Sequence, residues 1–221
     1  MLKIFNTLLL SLSLLFSAYG QQNDARAQKI IDDMTAKFKT YPSLSVDFSL
    51  TLTNIRDNTE SEQTGKIWIK GEKYKLEIPD FVLYFDGTRI YQYMPNVNEV
   101  NIVNPEADDE EFQLLNPQTY LSLSSRHFTG NFLQETTLNS RAVFEIDLYP
   151  VNFSTSPLSR IRIMVEKSSL QLVYMKAFMK NGIHYTLNFK PYNIIQSALR
   201  DSFFVFNRAE HPNVEVIDLT F

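Results

Sequence analysis

Apolar and polar residues alternate along much of this chain. Between residues 45 and 53, Val46, Phe48, Leu50 and Leu52 alternate with Ser, Asp and Thr. A period of two is typical of a β-strand with one apolar and one polar face. Because the pattern recurs in short segments toward the C-terminus, it predicts an antiparallel sheet. Its apolar face must be covered, either by helices or by curling of the sheet toward a barrel.

The predicted strands lie close together and are separated by turn residues. Asp86-Gly87 and Asn181-Gly182 are dipeptides typical of tight hairpin turns. We expect about ten to eleven strands, and two of these, over residues 204–206 and 214–219, end the chain. No linker or repeat divides the segment, so one continuous domain is expected.

About three helices are expected. Near the start, apolar residues recur at spacings of three and four, which predicts an amphipathic helix; they are Ala27, Ile30, Ile31, Met34 and Phe38. Asn23 or Asp24 should cap this helix, and it should end before Pro42. Two further short helices are expected within residues 104–125, where four acids at 108–111 suit a helix N-terminus better than a calcium loop.

The first twenty residues predict a secretory signal peptide. Lys3 precedes an apolar run, and Ala18 and Gly20 supply small residues before a cleavage point. We therefore expect a single mature domain over residues 21–221. The chain contains no cysteine, so core burial must hold the fold, and a lipid-attached cysteine is absent. A net charge of −4 argues against a nucleic-acid partner.

The sequence carries no enzyme motif. His127, His184 and His211 lie far apart, and neither a His-Glu-x-x-His nor a Gly-x-Ser-x-Gly run occurs. We expect no catalysis, no cofactor and no metal site. Two alternatives stay open: a triad assembled from distant segments, and an enzyme for hydrophobic substrates with converging ionisable groups inside a cavity.

Several segments resemble the LolA-type periplasmic lipoprotein carriers. They are residues 65–70 (GKIWIK), 74–79 (YKLEIP) and 85–95 (FDGTRIYQYMP), followed near the C-terminus by 201–206 (DSFFVF) and 214–218 (VEVID). The resemblance implies an α+β fold, an unclosed antiparallel β-barrel covered by about three helices around an apolar cavity. It also implies a monomeric carrier that moves acylated lipoproteins through the periplasm, from an inner-membrane ABC-type releasing complex to an outer-membrane acceptor.

The resemblance also suggests which residues hold the acyl chains, although the sequence leaves open which face of each strand lines the cavity. The expected cavity wall or rim consists of Val46, Phe48, Leu50, Ile67, Ile69, Tyr74, Leu76, Ile78, Leu83, Phe85, Tyr91 and Tyr93. The expected lid consists of Phe112, Leu115, Tyr120 and Leu123.

One position departs from the family pattern. Gly71 stands where these carriers have an arginine that ties the strand to the lid, and Lys73 is the nearest cation. A lysine lacks the planar fork of a guanidinium, so the family's lid switching is not expected to carry over unchanged. Two further functions fit the same fold: a lipid-sensing or regulatory domain, and a carrier of a different lipid-tailed molecule.

Overall fold

A computed structural model describes residues 24–105 and 127–220. In this part of the chain, thirteen strands form one sheet beside one α-helix and two short 3₁₀-helices. The helix is α1 (Ala25–Phe38), and the 3₁₀-helices are Asp201–Phe204 and Arg208–Glu210. The strands are β1 (Ser43–Asn54), β2 (Thr59–Lys70), β3 (Lys73–Glu77), β4 (Val82–Phe85), β5 (Ile90–Met94), β6 (Glu99–Val103), β7 (Phe128–Leu138), β8 (Arg141–Pro150), β9 (Leu158–Glu166), β10 (Leu172–Met179), β11 (Ile183–Phe189), β12 (Asn193–Ile195) and β13 (Glu215–Asp218).

The sheet is unclosed. Its strand order is β13-β6-β5-β4-β3-β2-β1-β11-β10-β9-β8-β7, and β12 pairs with the start of β1. All neighbours are antiparallel except β13, which runs parallel to β6. Within the described residues, no strand pairing joins the two edge strands, β7 and β13. The predicted fold class is therefore confirmed, with more strands than the ten to eleven expected.

One face of the sheet carries the core. A single cluster joins α1 with buried side chains from β1 to β5 and from β8 to β11. We call this the inner face, and the opposite one the outer face. Successive side chains of a strand point to opposite faces, so the register assigns every strand residue to one of them.

Helix α1 begins where the sequence predicted. Asp24 caps it by accepting a hydrogen bond from the Arg26 N–H at 2.9 Å, and the other carboxylate oxygen accepts one from the Phe132 N–H of β7, also at 2.9 Å. Partial burial opposes ionisation, yet these N–H donors hold the pKa of Asp24 below its usual value. The cap therefore also fastens the helix to an edge strand. A Cβ at Gly130 would lie 3.1 Å from the Ala27 Cβ, so glycine permits this close contact.

A C-terminal segment covers part of the outer face. We call residues 201–211 the aromatic strap, because Phe203 packs on Trp68 at 5.7 Å and Phe206 packs on Tyr84 at 5.9 Å between ring centroids. The strand expected over residues 204–206 is wrong, since a 3₁₀-helix ends at Phe204 and no strand follows there. In a strand, Phe203 and Phe204 would point to opposite faces. In the 3₁₀-helix, Phe203 packs on Trp68 while Phe204 contacts Phe203 and is fully buried.

No helix among the described residues has the length and apolar character needed to cross a membrane.

Candidate functional site

The inner face is apolar across adjacent strands. In one row of the register, Val46 lies opposite Ile67, Ile67 opposite Leu76, and Leu76 opposite Leu83. The structure places ten of the twelve expected wall residues on this face, each at most 9% exposed. They are Val46, Phe48, Leu50, Ile67, Ile69, Tyr74, Leu76, Ile78, Leu83 and Phe85. Their side chains are covered rather than open to solvent.

Tyr91 and Tyr93 do not belong to this wall. In the β4–β5 register, Tyr91 lies opposite Tyr84 and shares the outer face with it. The Tyr93 ring lies 5.4 Å from Phe206 and 4.2 Å from His211 of the aromatic strap, measured between centroids. The structure therefore separates these two tyrosines from the other ten residues of the expected wall or rim. Apolar residues occupy both faces of β5, so alternation gave no signal there.

The expected lid falls outside the described residues. The described residues do not include Phe112, Leu115, Tyr120 or Leu123. They also leave out residues 106–126, which contain most of the segment where two helices were expected, and the expected signal peptide.

Three buried polar atoms lack a hydrogen-bond partner among the described residues. They are the Tyr74 hydroxyl, the Gln63 Oε1 and the Asn101 Oδ1. The register places all three side chains on the inner face: Tyr74 beside Ile69, Gln63 opposite Leu50, and Asn101 opposite Gln92. Sequence reasoning gave no role to Gln63 or Asn101. The sequence carried no signal for either residue, because Asn101 lies between Val100 and Ile102, where alternation assigns it to the polar side, and Gln63 lies in a polar stretch.

Tyr74 is the most deeply placed of the three. The residue has no exposed surface, and its ring lies 5.3 Å from the Phe85 ring. Burial raises the pKa of its hydroxyl well above the usual range, so the group stays protonated. The inner face therefore contains a neutral hydrogen-bond donor surrounded by apolar side chains.

The buried acids of the outer face are paired. Asp147 is 2% exposed and accepts hydrogen bonds from Arg160 at 2.9 Å and from Arg162 at 2.8 Å. Arg162 also pairs with Glu145 at 3.0 Å. The hydrogen bond with Asp147 raises the pKa of Arg162 although burial opposes this. This network lies opposite the inner face, so it does not supply the catalytic groups inside a cavity that an enzyme would need.

The described histidines make separate contacts. His184 packs edge-on against Phe178, with centroids 4.9 Å apart, and His211 stacks on Phe206 at 4.8 Å. Burial, and then the charges of Lys176 and Arg160, lower the pKa of His184 below its usual value. Across residues 24–105 and 127–220, no three His, Asp or Glu side chains are placed to hold a metal ion.

Lys73 does not replace the family arginine on the inner face. Gly71 lies in the β2–β3 turn with a φ of 56°. The Lys73 ammonium pairs with Asp201 of the aromatic strap at 3.0 Å, and Lys70 pairs with the same carboxylate at 2.8 Å. These lysines lower the pKa of Asp201, chiefly through hydrogen bonds. Lys73 therefore holds the strap against the outer side.

A cleft of about 820 Å³ opens beside β1, β2 and the turn between β7 and β8. Its lining includes Asp47, Ser49 and Lys66, which point to the outer face by register, together with Asn139 and Arg141 of the turn. Phe48, Ile78 and Phe189 of the inner face also line this cleft, so its lining combines polar and apolar side chains, unlike the apolar cavity that the resemblance implies.

No family model matches this chain. An uncharacterised protein of Methanocaldococcus jannaschii is 24% identical over 171 residues, which cover 76% of this chain and 49% of the relative. The chain thus spans about half the length of that relative.

Among solved structures, an uncharacterised conserved protein from Thermus thermophilus matches with a TM-score of 0.56 and 8% identity, covering 87% of this chain and 99% of that one. This match shows a shared fold. A putative outer membrane lipoprotein-sorting protein domain from Vibrio parahaemolyticus has a TM-score of 0.49 and 11% identity, covering 84% and 97%. A LolA superfamily protein from Nitrosomonas europaea has a TM-score of 0.46 and 11% identity, covering 81% and 97%.

Proposed function

We propose that this chain is an extracytoplasmic carrier that holds the acyl chains of a lipoprotein, or of another lipid-tailed molecule, against the inner face of its sheet. It catalyses no reaction. The observation that carries the proposal is the apolar inner face, which continues from β1 through β4 in a sheet that is not closed. A face of this kind can contact a hydrocarbon tail as well as the chain's own apolar side chains that pack on it.

The energetics favour exchange over tight capture. Each methylene removed from water contributes about 0.8 kcal/mol, so three lipid-length chains would together exceed the ceiling of about 18 to 21 kcal/mol for non-covalent binding. Because the inner-face side chains are already covered, a tail must displace the atoms that cover them. Cargo leaving a membrane therefore exchanges one apolar environment for another at a small net free energy, which suits a carrier.

The route follows from the resemblance and the expected signal peptide. We propose that cleavage leaves residues 21–221 as one monomeric domain in the periplasm. An inner-membrane ABC-type complex would load the cargo, and an outer-membrane acceptor would receive it. Gly71 and the engagement of Lys73 with Asp201 imply that lid opening does not use the arginine contact of the family.

The test is extraction of lipid from membranes. Purified residues 21–221 are incubated with vesicles that contain a radiolabelled triacylated lipoprotein, the vesicles are sedimented, and the label in the supernatant is counted. A carrier releases label in proportion to the protein added. If the supernatant holds no label above a buffer control, and the protein purified from its native compartment retains no lipid, the proposal is wrong.

A matched pair of variants locates the binding face. Thr51 and Leu52 are neighbours on β1, are both half-buried, and point to the outer and inner face respectively. Leu52→Gln places an amide on the apolar face and is expected to reduce extraction several-fold, because the amide must lose water when a tail covers it. Thr51→Gln is expected to leave extraction unchanged. Equal effects of the two substitutions would contradict binding on the inner face.

A further inference from the structure

The three unpartnered polar atoms share one face. Buried polar groups are nearly always hydrogen-bonded, so each exception needs a physical explanation. Gln63, Tyr74 and Asn101 lie on three different strands, yet all point to the inner face, where the cargo is proposed to bind. Such a coincidence indicates a common cause on that face.

Other buried polar groups among residues 24–105 and 127–220 have hydrogen-bond partners. The Ser43 hydroxyl donates to the Pro42 carbonyl at 2.8 Å and accepts from the Leu199 N–H at 3.1 Å. The Tyr192 hydroxyl donates to the Leu172 carbonyl at 3.3 Å. Tyr192 is a half-buried tyrosine that also packs against the core, and its hydroxyl has a partner within the chain. Tyr74 differs from it in having no exposed surface and no hydrogen-bond partner among the described residues.

The chemistry of Tyr74 defines what it would bind. A neutral phenol donates one hydrogen bond and accepts others, and burial keeps this phenol neutral. Its surroundings, Ile69 and Phe85, are apolar. The complement is an oxygen acceptor attached to a hydrocarbon chain, as in an ester or amide carbonyl or a carboxylate.

We propose that the inner face recognises the polar end of an acyl chain as well as its hydrocarbon, and that the Tyr74 hydroxyl donates a hydrogen bond to the acyl oxygen. This inference rests on the proposed function. Asn101 Oδ1 is an acceptor three strands away from Tyr74, at roughly 14 Å by the spacing of strands. It is placed to accept from an amide N–H or a hydroxyl of the same cargo.

The test compares three ligands of equal chain length, decane, methyl decanoate and decanoic acid, in displacing a fluorescent apolar dye from residues 21–221. Tyr74→Phe removes only the hydroxyl. We expect it to weaken the binding of the ester, the acid or both about tenfold, which corresponds to the loss of one hydrogen bond. The affinity for decane should stay within twofold. A loss for the ester alone assigns an acyl linkage, and a loss for the acid alone assigns a free carboxylate.

Tyr192→Phe is the matched control. Its hydroxyl already has a partner, so this variant should lower the unfolding temperature without changing the ranking of the three ligands. Tyr74→Phe should unfold no more easily than the unaltered chain, because its hydroxyl makes no hydrogen bond with the described residues. An unchanged ranking for Tyr74→Phe, or an equal loss for all three ligands, overturns the inference while the carrier function stands. If the unaltered protein binds none of the ligands, both fail.

Discussion

The two faces of this sheet treat buried polar groups in opposite ways. On the outer face, Asp147 is almost fully buried and is bound by Arg160 and Arg162. On the inner face, Tyr74 is fully buried and its hydroxyl has no partner among the described residues. The outer face thus completes its interactions within the chain, whereas the inner face retains hydrogen-bonding capacity. An apolar face with unpartnered polar atoms is therefore better suited to binding a ligand than a face whose polar atoms are already paired.

The largest expected effect comes from the inner face. Leu83 has no exposed surface, so Leu83→Ala leaves a cavity and should lower the free energy of unfolding by about 3 to 4 kcal/mol. Val216→Ala is the control, since Val216 is 40% exposed on β13, and it should change stability by less than about 0.5 kcal/mol. Urea denaturation measures both. Similar values for the two variants would contradict a covered inner face.

The outer face is tested by removing one buried charge. Asp147→Ala leaves two partly exposed arginines without their carboxylate, and it should cost about 3 kcal/mol of unfolding free energy. Asp33→Ala removes an exposed pair with Lys29 and should cost no more than about 0.5 kcal/mol. Guanidinium is avoided because it screens charges, so urea is again the denaturant. If Asp147→Ala cost as little unfolding free energy as the control, the ion pairs of Asp147 with the two arginines would not stabilise the fold.

A smaller effect is expected where a glycine lets strands approach. A Cβ at Gly65 would lie 2.5 Å from the Phe48 ring and 2.7 Å from the Glu77 carbonyl oxygen. Gly65→Ala should therefore lower the free energy of unfolding by about 2 kcal/mol through overpacking. Thermal unfolding followed by circular dichroism measures the loss. A stability equal to that of the unaltered chain would mean that the inner face has room to spare at this point.

The smallest effect concerns pH. His184 has a pKa below its usual value of 6.5 in the folded protein, because burial and nearby cations disfavour its charged form. Its contribution is present above pH 6.5 and is lost as the pH falls through the folded pKa, because the unfolded chain then binds the proton more readily. His184→Gln should therefore lose less stability than the unaltered chain between pH 7.5 and pH 5. The midpoint of urea unfolding at the two pH values checks this, and parallel losses would contradict it.

Sequence patterns predicted the fold where alternation was simple. The strands that contain Val46, Ile67 and Leu76 were expected, as were helix α1 and the turn at Asn181-Gly182. Alternation failed at β6, where Val100 is buried on the outer face and the polar Asn101 points to the inner one. It also failed at Phe204, which is fully buried at the end of a 3₁₀-helix of the aromatic strap rather than in a strand.

The candidate site was predictable only as a face. Alternation marks which residues share a side, but a stretch that is apolar on both sides, such as the one containing Tyr91 and Tyr93, does not reveal which side is inner. The partner of a buried polar atom depends on strands distant in sequence. For that reason no pattern could distinguish Tyr74 from Tyr192 before the register was known.

The most direct test of the account is photo-crosslinking with a fatty acid that carries a diazirine near the end of its chain. The labelled protein is digested and fragmented, so that each crosslink is assigned to a residue. We expect labels on inner-face residues such as Leu50, Leu76 and Leu83, and none on their outer-face neighbours Thr51, Lys75 and Tyr84. Labels confined to the outer face would contradict a carrier that holds its cargo on the inner face. The account would also be contradicted if an excess of unmodified fatty acid removed none of the labels.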